Sequence, residues 1–204
     1  MISTEKLADV LTNYIVKNKA IEEEDYQIYK YGFWTGIEML ICIVSCYGIA
    51  IQMGMIKECT MLFLVFFSLR SFVGGIHMDS YKKCFACSCM VVFLILFAVK
   101  NIHLTNMLAL GVINFELLII FFTNPVENIN RPVDEKEKKL FAQRIKQILT
   151  IILGLTVFLF IMGYNNYLVT ITYTLGIIII SMFLGKAKLA KNCRRVLESE
   201  NSFD

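Results

Sequence analysis

Residues 167–184 read YLVTITYTLGIIIISMFL, an unbroken stretch with no charged side chain. As a helix it would rise about 27 Å at ~1.5 Å per residue, close to the ~30 Å hydrocarbon layer of a bilayer. Backbone N–H and C=O groups find no water at that depth, so helix is the conformation open to such a segment. Working back along the chain, similar runs cover Ile148 to about Tyr164, Leu104–Thr123, Cys84–Val99, Cys59 to a point between Leu69 and Ile76, and Phe33–Met53. Asn165-Asn166 reads as the turn between the last two. Six runs predict an all-α polytopic membrane protein with six transmembrane helices. Composition agrees: 57% of the 204 residues are hydrophobic, against ~45–50% for soluble domains.

Lys and Arg divide unevenly outside these runs. All but Lys57 and Lys100 fall in the leading segment, the second-to-third and fourth-to-fifth connections, or the tail. The positive-inside rule then places both termini and these two connections in the cytosol of a multi-pass plasma-membrane protein. Leu7, Val10, Leu11 and Tyr14 recur at helical spacing within residues 4–17. They predict an N-terminal amphipathic helix, lying on the inner membrane surface or packed on the bundle, with Ser3 or Thr4 as its cap. Residues 1–31 are too polar for a cleavable signal peptide. The chain thus reads as one membrane-embedded domain: a cytosolic amphipathic segment (1–31), a six-helix core (33–184) and a cytosolic tail (185–204).

Several polar features lie inside the runs. Glu38 and Glu116, with Asn114 nearby, are costly in lipid and are expected to face the bundle interior. They support an alternative reading as a small transporter or channel. Gly32 and Gly36 form a Gly-x-x-x-Gly that fits helix pairing, hence a homodimer or a non-catalytic scaffold.

Chemistry concentrates in Arg70-Ser71-Phe72-Val73-Gly74-Gly75-Ile76-His77-Met78-Asp79-Ser80-Tyr81-Lys82-Lys83-Cys84. A thiol becomes a strong nucleophile as the thiolate, which a nearby His, lysines or a helix N-terminus favour. His77 supplies the base, and Lys82, Lys83 and the start of the third run supply positive potential at Cys84. The two residues would stand about 10.5 Å apart along a straight helix, whereas proton transfer needs about 3 Å. A bend between 77 and 84 is therefore required if the two form a dyad, and Gly74-Gly75 supplies backbone freedom just before it. Plainer readings exist for each residue: His77 as an interfacial side chain, the Gly pair as a simple turn, Arg70 as a snorkelling cation. Asp79 could orient His77 or be a solvated acid. Zinc on His77, Cys84, Cys87 and Cys89 fits badly, because Cys-x-x-Cys-x-Cys on a helix points its thiols to different faces. Seven cysteines, an odd number near a reducing compartment, argue against a disulfide framework. No metal, cofactor or nucleic-acid partner is expected.

Arg70, Gly75, His77 and Cys84 between two spans resemble the signature of the accessory gene regulator B family. The resemblance extends to Asn124-Pro125-Val126-Glu127-Asn128 and Asn130-Arg131-Pro132, and to nearly the whole chain in length and span count. It implies a membrane cysteine endopeptidase of a Gram-positive bacterium that processes a quorum-sensing propeptide at the inner leaflet. The catalytic pair would fall on Cys84 (nucleophile) and His77 (general base and acid), with Arg70 and Gly75 in support. Cleavage would leave a thioester on Cys84, from which the peptide cyclises to a thiolactone or lactone. Gly74, Gly75 and Cys84 N–H groups, or Arg70, are candidates for holding the oxyanion. In the basic loop 131–146, Lys136, Lys138 and Lys139 are candidates for binding an acidic part of the propeptide, although cytosolic loops are basic in any case.

Overall fold

The computed structural model describes residues 4–75, 80–123 and 135–200, the side chains of 135–138 and 192–200 excepted. The described residues form helices and no strand. They are α1 (Thr4–Lys17), α2 (Tyr26–Met53), α3 (Ile56–Val73), α4 (Tyr81–Asn101), α5 (Asn106–Phe122), α6 (Glu135–Ile161) and α7 (Asn165–Glu200), with a short 3-10 turn at Glu23–Asp25. Four segments are long and apolar enough to cross a membrane: Glu23–Met53, Tyr81–Asn101, Lys139–Ile161 and Asn165–Lys191. The two other expected spans coincide with α3 and α5. The first carries Lys57, Glu58 and Arg70, and the second has 17 residues.

Three expectations are corrected. The turn before the last helix is Met162–Tyr164, not Asn165-Asn166, and Gly163 takes its left-handed position (φ 73°). Asn165 opens α7 instead, and its side-chain amide donates to the Leu104 carbonyl (2.8 Å). The basic stretch read as a loop is largely helix from Glu135 onward. Nothing after Pro132 breaks a helix there, and Glu, Lys, Leu, Ala, Gln and Arg all favour one. The last helix also does not stop at Leu184 but runs on to Glu200.

α7 is the central helix. Leu168, Ile171, Leu175 and Ile178 are fully buried, packed with Val65, Leu69 and Val73 of α3 and with Ile113 and Ile120 of α5. A second cluster joins Cys46 and Ala50 of α2, Cys59 and Leu62 of α3, and Val92, Ile95, Leu96 and Val99 of α4. The ends sort by direction. Lys100 at the end of α4 donates to the Met53 carbonyl at the end of α2 (3.4 Å). Asn165 of α7 meets Leu104 and Asn106 before and in α5. Ile56 of α3 and Tyr167 of α7 line one hollow. These residues share one end of the bundle, so the start of α4, the end of α3 and the start of α6 share the other.

α1 lies where the apolar spacing predicts, and a different face from the Leu7–Tyr14 stripe meets the bundle. Ala8 and Thr12 are buried, while Leu7, Val10, Leu11 and Tyr14 are exposed. The helix therefore packs on α2 and still presents an apolar stripe outward, as an interfacial helix does. Thr4 belongs to the helix; its hydroxyl donates to Glu38 Oε1 (3.4 Å) and accepts from Trp34 Nε1 (3.1 Å). Lys30 pairs with Asp9 (2.8 Å) and Glu5 (3.6 Å), and Tyr26 donates to Asp9 (3.1 Å). Glu38 is thus engaged with α1 and does not face the bundle interior. Glu116 does: it is buried beside Gly176, and its Oε2 has no hydrogen-bond partner among the described residues. Asn114 is exposed and donates to the Leu110 carbonyl of its own helix (2.8 Å).

The Lys30 hydrogen bond is the main cause holding the Asp9 carboxyl below its ordinary value of 3.8. A depressed carboxylate stabilises the docked state above its undocked pKa, and that contribution disappears as pH falls through the docked value. Acidification below about pH 4, or high salt, should therefore loosen α1 from α2. Trp34, the one tryptophan of the chain, reports this through its bond to Thr4. Its emission should shift on acidification, and Asp9→Asn should reproduce the shift at neutral pH. Unchanged emission in both cases would contradict the clasp.

Candidate functional site

α3 ends where the chain needs glycine. Gly74 follows Val73 with φ 73°, and Gly75 has φ 150°, both in the region that side chains disfavour. Gly74 donates its N–H to the Arg70 carbonyl (3.2 Å), closing the helix. A Cβ added at Gly75 would overlap the Arg70 guanidinium and the Ser181 hydroxyl. The missing side chain is therefore what lets Arg70, from the last turn of α3, lie across the turn and against α7. Ser181, on the central helix, is a neighbour that sequence spacing does not reveal.

α4 begins at Tyr81 with Ser80 in extended conformation before it. The Cys84 N–H donates to the Ser80 carbonyl (3.1 Å), so Cys84 completes the first turn. Its side chain is exposed, as are those of Lys82 and Lys83. The N-terminal end of a helix carries partial positive charge, and these two lysines add to it. Arg70 is close enough to Cys84 to interact with it electrostatically. Two oxyanion candidates drop out, since the Gly74 and Cys84 N–H groups are engaged in helix bonds. Gly75 N–H, the early N–H groups of α4 and Arg70 remain, because the first turn of a helix leaves its N–H groups without intrahelical partners.

Tyr81 is a second residue that the motif did not flag. Its hydroxyl donates to the Glu38 carbonyl (3.1 Å), pinning the start of α4 to α2, and its ring meets Phe85. Replacing it with Phe removes one hydrogen bond, worth about 1 kcal/mol. Tyr81→Phe should therefore slow any reaction at Cys84 by several-fold, measured as kcat with KM little changed. An unaltered kcat would show that the tether does not position Cys84.

The basic residues arrive at the same end. Phe141 of α6 meets Phe72 of α3 edge-on (centroids 6.0 Å apart), which sets the start of α6 beside the Gly74-Gly75 turn. Lys136, Lys138 and Lys139 lie on the first turns of α6, and Lys139 is exposed. Cys84 and Cys87 are exposed while Cys89 turns towards α2, so these three thiols do not share a face. His77, Asp79, the two Asn/Pro stretches 124–128 and 130–132, and the Ser3 cap lie outside the described residues.

Comparison with known proteins adds to this geometry. Residues 8–188 match the family described as Accessory gene regulator B. An AgrB-like protein of Clostridium perfringens (strain SM101 / Type A) is 27% identical over 169 residues, covering 79% of each chain. An AgrB-like protein of Listeria monocytogenes serotype 4b (strain CLIP80459) is 30% identical over 151 residues, or 74% of this chain and 72% of its own. No solved structure matches. A family match over most of the length, on an all-helical chain with several membrane-length apolar helices, has a plain meaning: the chain belongs to the accessory gene regulator B family.

Proposed function

We propose that the protein is a membrane cysteine endopeptidase that removes the C-terminal part of a quorum-sensing propeptide and promotes cyclisation of the remainder. The observation that carries this reading is an exposed Cys84 in the first turn of α4, within electrostatic reach of the Arg70 guanidinium that Gly75 admits. The thiol is accessible to a peptide carbonyl, and Lys82, Lys83 and the N-terminal end of α4 supply positive potential of the kind that favours a thiolate nucleophile. His77 takes the thiol proton and returns it to the departing amine. The C–N bond breaks as the C–S bond forms, leaving the peptide as a thioester on Cys84. An internal Cys thiol or Ser hydroxyl of the peptide then attacks the thioester and frees Cys84. Arg70, Gly75 N–H or the early N–H groups of α4 stabilise the oxyanion, and Asp79 orients His77.

In this reading α3 and α5 complete six crossings, with both termini and the Cys84 end in the cytosol. At about 27 Å and 26 Å both helices are shorter than the ~30 Å apolar layer. The bilayer thins locally around them, which brings Cys84 towards the headgroup level where an amphipathic propeptide lies. Partial burial also keeps water from the thioester.

The basic start of α6 binds the acidic part of the propeptide. Reversing Lys136, Lys138 and Lys139 to Glu should raise KM at least about tenfold at low salt, with less effect at high salt. Unchanged KM in a correctly inserted variant would remove that assignment. The reading as a whole is tested by mass spectrometry of a candidate propeptide incubated with the protein in liposomes. It predicts a released tail and a cyclic product lighter than the truncated linear peptide by one water. Intact propeptide, with every plausible substrate, would overturn it.

A further inference from the structure

Away from the Cys84 face, three thiols meet inside the bundle. Cys42 and Cys46 lie four residues apart on α2, hence on one side of that helix, and Cys89 reaches them from α4. Their Sγ atoms all lie within 4.8 Å of one another. Cys46 is fully buried, and Cys42 and Cys89 are half-buried. We infer that these three thiols form a binding site for a soft, thiophilic metal ion, Cu(I).

The distances favour a single ion at the centre. With metal–sulfur bonds of about 2.3 Å, three sulfurs in trigonal array stand about 4.0 Å apart. Closing the present triangle therefore needs sulfur shifts below about 1 Å, within reach of small χ1 adjustments. The donor set decides the ion. Among the described residues no carboxylate or imidazole joins the cluster, and an all-sulfur set selects soft ions over hard ones. A structural Zn²⁺ site wants four ligands, so three sulfurs suit Cu(I) better. Each ligating thiol gives its proton to water as its Cu–S bond forms, and copper stays Cu(I) throughout. Bound there, the ion ties α2 to α4 one and a half turns beyond Cys84. The site is independent of the peptidase reading, since none of its thiols takes part in that chemistry.

The test uses the full chain in lipid nanodiscs, kept reduced and anaerobic. Cu(I) is titrated against a colorimetric Cu(I) chelator, with Zn²⁺ titrated in parallel. Wild type should retain a stoichiometric Cu(I), with sulfur-to-copper absorption in the near ultraviolet and a sulfur-only first shell by X-ray absorption. Cys42→Ser, Cys46→Ser and Cys89→Ser should each lose the ion, and Cys84→Ala and Cys87→Ser should keep it. In the wild-type protein Cu(I) should also shield Cys42 and Cys89 from a membrane-permeant thiol reagent, a readout that needs no substitution. Retention unchanged in all three Ser variants would overturn the assignment. So would loss in Cys84→Ala, retention of Zn²⁺ in place of Cu(I), or labelling of Cys42 and Cys89 unaffected by Cu(I).

Discussion

Cys84→Ala is expected to abolish propeptide cleavage, by at least about 10⁴-fold, while the protein still inserts and purifies as wild type does. The size of the loss follows from what the residue does. Removing a nucleophile removes the covalent route altogether, and positioning plus oxyanion stabilisation leave only a residual rate. Folding should be spared because the Cys84 side chain is exposed and lies in no buried cluster. Truncating it opens no cavity, and Ala is a better helix former than Cys. Cleavage rates by mass spectrometry, with thermal stability in detergent measured alongside, would check both halves. Cys84→Ser should be nearly as inactive, since a serine hydroxyl gains far less from the surrounding positive charge than a thiol does.

The second large effect is expected at Gly75. Val at this position must adopt φ near 150°, a conformation costing about 1–3 kcal/mol for a residue with a Cβ, and that Cβ would overlap Arg70 and Ser181. The guanidinium then leaves its place near Cys84, and displacement of a reacting or charge-stabilising group by about 1 Å costs on the order of 10²-fold in rate. Gly75→Val should thus lower kcat by about 10²-fold or more. Gly74→Ala tests the backbone strain of the turn by itself, at φ 73°, and is expected to lose less. Equal losses would mean that the turn's backbone, and not the seat of Arg70, is what matters. Ser181→Ala, which leaves space beside the guanidinium, should give a small effect and partly rescue Gly75→Ala.

Much of this architecture is legible in the residues themselves. An uncharged run such as 167–184 has no alternative to a helix in lipid, and the spacing of Leu7, Val10, Leu11 and Tyr14 marks α1 to the residue. What periodicity does not tell is which side of an amphipathic helix meets protein. α1 buries Ala8 and Thr12, since small side chains allow close approach to α2, and leaves its larger apolar residues outward. The start of α6 was hidden for a related reason. Its first turns are highly charged, so hydropathy reads them as loop although their helix propensity is high.

The site divides in the same way. Arg70, Gly74, Gly75 and Cys84 lie close together in sequence, and the turn geometry of the Gly pair follows from their type. Ser181 reaches the site from α7, more than 100 residues further along the chain than Gly75, and Tyr81, although inside the 70–84 stretch, acts through a bond to Glu38 of α2 that local spacing does not show. The thiol triangle is half legible: Cys42 and Cys46 have helical spacing, but Cys89 joins them only because α4 packs on α2 with its Cys89 face inward.

The most direct test of the account is to catch the peptide on the enzyme. The full-length protein in liposomes would be mixed with propeptide, quenched in acid within the first turnover, and analysed by intact-protein and peptide mass spectrometry. The account predicts an adduct equal in mass to the propeptide without its C-terminal tail (less one water), located on the peptide containing Cys84, released by hydroxylamine and absent from Cys84→Ala. Cleavage without any Cys84 adduct, or an adduct that persists in Cys84→Ala, would contradict it.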